Sequence, residues 1–188
     1  MIDFRILNAD ILFDYREACK TTQGIMQPGP FNPRDEVAFW VKQIVANDST
    51  IRCMTFRMKA TAPRSVIMQI IRATKGHPQP EVESSRPDWT GKERSSDPYE
   101  EKLFIQDHTA ESWIEMAKQR LCMRTEAKTR AFMVAAVNAL KDSELPFLRA
   151  VGLCSMPYCK WYLACPEIKS CGKCKISMAK DILNRAEL

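Results

Sequence analysis

Residues 50–72 read TIRCMTFRMKATAPRSVIMQIIR, and the hydrophobic period changes within them. From Thr50 to Thr61 the period is two: Met54, Phe56, Met58 and Ala60 face one way, Thr55, Arg57 and Lys59 the other. That is the pattern of a half-buried strand. Pro63 then opens a short helix from Arg64 to about Arg72, because proline suits the first helical turn. Its apolar side is Val66, Ile67, Ile70 and Ile71, and its other side presents Gln69 and Arg72 one turn apart, where both can reach one ligand.

Working outward, a short strand is predicted at Phe4 to Leu7 and a helical stretch around Asp14 to Lys20. Gln27-Pro28-Gly29-Pro30-Phe31 breaks the chain. Asn32 before Pro33, with Asp35 and Glu36 in the first turn, predicts a helix start. That helix runs to Ala46 with a buried stripe of Val37, Trp40, Val41, Ile44 and Val45, and Asn47-Asp48 closes it. Residues 73–101 read as a long irregular excursion, rich in Pro, Ser and charge. A long helix follows, capped by Thr109, with Arg120 and Arg124 on its polar side and Ala131 to Leu140 as its continuation or partner. A short amphipathic helix from Ser177 to Leu188 ends the chain.

The chain has 188 residues, 45% of them hydrophobic and 27% charged, enough for one buried core. A single domain over 1–188 is expected, with a core over 1–150 and a Cys-rich tail and terminal helix over 151–188. Eleven Pro against six Gly, without a collagen period, exclude a fibrous protein. The longest apolar runs fall well below the roughly 18 to 20 residues of a membrane span, and Met1-Ile2-Asp3-Phe4-Arg5 lacks a signal-peptide layout. A soluble cytoplasmic protein is expected. The net charge of +5 is spread along the chain, which suits a phosphorylated small molecule. No basic stripe with interleaved aromatics points to a nucleic acid.

Eight cysteines fall as Cys19, Cys53 and Cys122, then Cys154, Cys159, Cys165, Cys171 and Cys174. Cys53 and Cys122 lie at apolar-periodic positions and read as small core residues. Cys154-x4-Cys159 and Cys171-x2-Cys174 stand close to zinc spacing and could close a tetrahedral structural zinc site, with Cys165 spare; the alternative is a reduced, inert set. His77 reads as a surface residue and His108 as lying near a helix start, neither as catalytic.

The ordered set of Ser49-Thr50-Ile51-Arg52-Cys53-Met54-Thr55-Phe56, Ala62-Pro63, Gln69, Arg72 and Ser84-Ser85-Arg86 resembles the signature region of the flavin-dependent thymidylate synthases. Their motif R-H-R-x-x-S-x-N-x-x-S-x-R-Y is matched at its two ends, Arg72 and Ser84-Ser85-Arg86, with one extra residue between. The run from Thr109 to Arg130 is similar to their second signature, and the tail from Gly152 through Cys165-Pro166-Glu167 to Cys171-Gly172 resembles the Cys-bearing ending of some members. The resemblance implies an α+β fold, an antiparallel sheet flanked by helices, assembled as a homotetramer with active sites between subunits. It implies an enzyme that methylates or hydroxymethylates C5 of a pyrimidine nucleoside monophosphate such as dUMP, with FAD, NADPH and methylenetetrahydrofolate. By the same resemblance Arg120 is catalytic, as the substrate-activating arginine. Gln69, Arg72, Ser84, Ser85, Arg86 and Arg120 bind substrate, and Ser49, Arg72 and Arg124 bind cofactor.

A guanidinium beside a uracil carbonyl would stabilise the enolate-like charge that develops as C5 becomes nucleophilic. The planar forks of Arg72 and Arg86 suit a phosphate. Ala73 and Thr74 replace a His and an Arg of the family motif, and Glu111 and Glu115 stand where the family has an Arg and an Asn. These departures define the alternative reading: a non-catalytic nucleotide-binding or partner-binding paralogue that has lost the flavin site.

Overall fold

The computed structural model describes residues 1–22, 33–73, 80–91, 93 and 95–178. Its sheet has four strands, β1 (Ile2–Ile6), β2 (Thr55–Pro63), β3 (Glu81–Val82) and β4 (Glu101–Thr109), in the order β1-β2-β4-β3. All neighbours are antiparallel; Ile2 faces Ala60, Thr55 faces Thr109, and Glu81 faces Ile105. The described helices are α1 (Ile11–Thr22), α2 (Glu36–Ala46), α3 (Arg64–Ala73), α4 (Pro87–Thr90), α5 (Ala110–Arg120), α6 (Ala127–Lys141), α7 (Pro146–Cys154) and α8 (Tyr158–Trp161). The architecture is α+β. No described helix is long and apolar enough to cross a membrane.

β2 faces the core as its alternation requires: Met54, Phe56, Met58, Ala60 and Ala62 are all buried. Each of the larger three contributes about 1.5–3 kcal/mol by leaving water. The opposite face carries Arg57, which donates through Nε and one terminal amino group to the two carboxylate oxygens of Asp107 directly across on β4, at 2.6 and 2.7 Å. The helical layer closes over the apolar face. Phe56 meets Trp113 of α5 and Phe147 of α7, and Phe147 meets Trp40 of α2. The indole of Trp113 donates to the Ser155 hydroxyl at 2.9 Å, so its polar edge is satisfied inside the core. Gly152 lets α7 cross α6 closely, since a Cβ there would stand 2.6 Å from the Lys141 backbone nitrogen.

Several sequence expectations are corrected. The first strand starts at Ile2 rather than Phe4, and α1 is longer than expected at both ends. The cap of α2 is Asp35, whose carboxylate accepts from the Ala38 amide at 2.9 Å, so the helix starts beyond Pro33; Asn32 lies outside the described residues. Asn47 ends α2 in the left-handed region as expected, but Val45 points to solvent because the stripe is narrower than its composition suggests. Ser49–Cys53 is a 3-10 turn capped by Asp48, not strand, which leaves Cys53 exposed. The excursion after Ala73 contains β3 and α4, and β4 begins at its end. Thr109 caps α5 as read, and Ala131 to Leu140 belongs to a partner helix, α6. The expected terminal helix falls largely outside the described residues, as does His77, while His108 is buried on β4 between Phe56 and Trp113.

Candidate functional site

α5 is capped by Thr109 and ends on two cations. The Thr109 hydroxyl accepts from the Ser112 amide at the helix start, and Lys118 and Arg120 occupy the last turn, where cations are favoured by the helix dipole. α3 packs beside α5 and carries Arg72 in its own last turn. Burial and then the neighbouring Arg72 charge push Arg120 below the usual guanidinium value. It remains a cation at neutral pH.

Among the described residues neither arginine has a carboxylate partner, and the buried Nε of Arg120 has no hydrogen-bond acceptor. Two cations held together without an anion repel, and a buried donor without an acceptor costs about 1–3 kcal/mol. An oxyanion bonded to both guanidiniums would offset each cost. Gln69 stands one turn before Arg72 on α3, half-buried.

The remaining sequence-predicted residues have local commitments. Ser84 and Ser85 are half-buried between β3 and α4, and the Ser84 hydroxyl accepts from the Arg86 amide at 3.1 Å. Arg86 is exposed, ion-paired with Asp88 at 2.8 Å and stacked over the Trp89 ring at 4.9 Å. No contact among the described residues joins it to Arg72 or Arg120. Ser49 is exposed at the start of its 3-10 turn, and Arg124 donates to the Lys169 carbonyl at 2.6 Å.

Lys118 belongs to a site that the sequence did not disclose. It is 4% exposed, bonded to Glu115 at 2.6 Å and the Tyr162 hydroxyl at 3.1 Å, and lies over the rings of Trp161 and Tyr162 at 4.5 and 4.9 Å. Burial works to lower its pKa, but the bonds from Glu115 and Tyr162 outweigh it and hold the ammonium above the usual lysine value. A cavity of about 210 Å³ adjoins this box, lined by Asn47, Ile51, Glu111, Ile114 and Trp161. Arg52 closes on Glu111 at 2.7 Å. The only sequence signal was the i, i+3 spacing of Glu115 and Lys118; the aromatic lid comes from α8, far along the chain.

The cysteines divide in an unexpected way. Cys154 is buried in the core, and burial pushes its thiol up to about 11. Cys159 is raised by burial and then by Cys174, Cys122 and Cys171 around it. Cys122 is therefore not a core residue; it lines a cavity of about 40 Å³ with Cys159, Cys165, Cys171 and Cys174.

No family model matches the chain, and no curated protein sequence matches it. Solved structures do resemble it. One is thymidylate synthase X from Helicobacter pylori, determined with FAD and dUMP: TM-score 0.58 at 10% identity, covering 82% of this chain and 99% of that one. At this identity the likeness shows the fold alone.

The residues that the sequence resemblance assigns to FAD do not form a cradle for its pyrophosphate within one chain. No contact among the described residues joins Ser49, Arg72 and Arg124, and Arg124 is taken by the tail. Glu111 and Glu115 put carboxylates at the mouth of the cavity behind the 3-10 turn.

Proposed function

We propose that this chain binds a pyrimidine nucleoside monophosphate such as dUMP at the α3–α5 ends and transfers a one-carbon unit to C5 of its base. The observation that carries the reading is the packing of α3 against α5, which brings Arg72 and Arg120 to neighbouring helix ends, with a buried Arg120 Nε that has no acceptor and no carboxylate partner for either arginine among the described residues. Arg72, exposed at the end of α3, meets the phosphate. Arg120, partly buried, donates from Nε to a uracil carbonyl and stabilises negative charge as C5 turns nucleophilic. Gln69 adds a neutral donor and acceptor one turn away. Methylenetetrahydrofolate supplies the carbon as a methylene group in exchange for the C5 proton; water then completes a hydroxymethyl group, whereas a methyl group takes a further hydride, for which NADPH is the reductant. That the reaction is methylation or hydroxymethylation is carried over from the resemblance of the sequence signatures, and the likeness to a synthase fold supports it. In the tetramer that the resemblance implies, Arg86 and the Ser84-Ser85 segment serve the site of a second copy.

The test is calorimetric titration of dUMP into the native protein, with Arg120→Met alongside, followed by tritium release from C5-labelled dUMP in the presence of methylenetetrahydrofolate, NADPH and FAD. The expected outcome is saturable binding that Arg120→Met weakens at least about tenfold, equivalent to about 1.4 kcal/mol, and tritium release by the wild type. Absence of dUMP binding refutes the site.

A second reading has its own support. Glu111 and Glu115 in place of cationic or neutral residues, together with the engagement of Arg124, favour a paralogue that keeps the nucleotide site without flavin chemistry. Binding without tritium release, and with no FAD retained in native mass spectrometry, selects it.

A further inference from the structure

The tail from Leu163 to Ser177 is a long loop with little to hold it. Its backbone is tied by Cys165 N–H to the Ile176 carbonyl at 2.8 Å, by Met178 N–H to the Cys165 carbonyl at 2.9 Å, and by Arg124 to the Lys169 carbonyl. Only Ala164 and Cys165 of this loop are buried, and Ile168 is fully exposed. A segment with so little apolar burial and a single β-bridge has too few interactions to offset its conformational entropy. Chains of this kind are stapled by disulfides or a metal.

The staple is in view. Cys122 follows the last turn of α5, Cys159 lies in α8, and Cys171 and Cys174 come from the loop itself. All four line the same cavity of about 40 Å³. That volume exceeds the roughly 10–15 Å³ that a water-sized occupant needs. Gly172 sits at φ 79° between the loop cysteines, with open space where its Cβ would be, so glycine is there for the left-handed turn that reverses the chain. Cys-x2-Cys across such a turn is the spacing from which thiolates converge on zinc.

We propose that Cys122, Cys159, Cys171 and Cys174 form a tetrathiolate zinc site that fastens the tail to the C-terminal end of α5. Among the described residues no three potential ligands stand at ligating separation, so the thiols must rotate and the loop must draw in to reach the about 2.3 Å Zn–S distance. All eight cysteines are free thiols in the structure, and binding needs no oxidant. Four Cys–SH groups and one Zn²⁺ give one tetrathiolate with net charge of minus two and four released protons. Lys173, lining the cavity, and Lys169 and Lys175 on the same loop offset that charge. Cys154 is excluded by its place in the core. Cys165 lines the cavity, but its backbone is fixed on both sides by the bridge to Ser177.

The experiment measures metal content of the full chain purified under reducing conditions, then replaces the metal with Co²⁺ and records the absorption spectrum. One zinc per chain is expected, with the ligand-field and thiolate charge-transfer bands of tetrahedral Co²⁺. Cys122→Ser and Cys174→Ser should lose at least tenfold in metal affinity, while Cys53→Ser and Cys154→Ala keep one metal per chain. Should the serine variants fail to fold, iodoacetamide labelling of the wild type read by mass spectrometry answers the same question: the four named thiols are protected until a chelator is added. The proposal is overturned by a reduced chain that takes up neither zinc nor Co²⁺, by disulfides among the four cysteines, by labelling that a chelator does not change, or by metal loss in Cys154→Ala with retention in Cys122→Ser. None of these results depends on whether dUMP binds.

Discussion

Lys118 and Arg120 lie two residues apart on the last turn of α5, yet their surroundings are opposite. Lys118 is enclosed by Glu115, Tyr162 and Trp161, and its charge is answered on every side. Arg120 lies within reach of the Arg72 charge and buries an Nε that has no acceptor among the described residues. A half-turn of helix separates a cation bonded to its neighbours from one with no carboxylate partner among the described residues. Charge in a sequence does not distinguish the two; only the neighbours do.

Removing Lys118 should break the first half of the comparison most severely. Lys118→Met leaves the Tyr162 hydroxyl and the Glu115 carboxylate without their buried partner. Because the Glu115 side chain is 42% exposed, the expected loss is about 2 kcal/mol rather than the larger figure for a fully buried pair. Urea unfolding reads it; a change below about 0.5 kcal/mol, within the range of ordinary surface substitutions, would show the aromatic box to be ornamental.

Arg120→Met should move the other way in the absence of ligand. Relief of an unanswered charge makes the variant as stable as wild type or up to about 1 kcal/mol more so. The same substitution abolishes stabilisation of the wild type by added inorganic phosphate, measured as a rise in Tm. Clear destabilisation of the unliganded protein would remove the contrast.

pH sharpens the comparison further. The folded pKa of Lys118 lies above its unfolded value, so its stabilisation is complete below about pH 10 and is lost as pH rises through the folded pKa. The stability difference between wild type and Lys118→Met should therefore be flat through neutral pH and narrow only in strong alkali. A difference that already shrinks between neutrality and about pH 9 would contradict the bonding described.

The smallest effect is expected on the open face of the sheet. The Arg57 hydrogen bonds hold the Asp107 carboxyl below the usual range, giving stability that is present above about pH 4 and lost as pH falls through the folded pKa. The pair is about one-third exposed, so Asp107→Asn should cost no more than about 1 kcal/mol near neutrality and flatten the acid limb of the stability curve.

β2 and β4 show why part of the fold was legible. The inward positions of β2 are Phe56, Met58, Ala60 and Ala62, and its alternation read correctly. On β4 the inward positions are Lys102, Phe104, Gln106 and His108, while Leu103 and Ile105 face outward. The apolar pattern is inverted, so this central strand went unread between the excursion that ends at Glu101 and the helix capped by Thr109, although it pairs with β2 along its whole length. Buried Lys102 is tolerated because Glu100 answers it at 2.7 Å, a partner that periodicity cannot show. Which cysteines share a cavity was hidden for a related reason. Spacing nominated Cys154, whereas Cys122 is sequence-distant and reaches the others only because α8 folds back beside the end of α5.

By itself the sequence determined what is local: the period of β2, the Pro63 start of α3, the Thr109 cap of α5, and the presence of Arg72 and Arg120 on polar helix faces. These follow from steric and hydrogen-bonding preferences acting over a few residues. Tertiary structure alone decided that β4 is a central strand, that Lys118 is answered while Arg120 is not, and which thiols share a cavity. Burial and electrostatic partnership depend on groups brought together through space, and the sequence has no local variable that records their meeting.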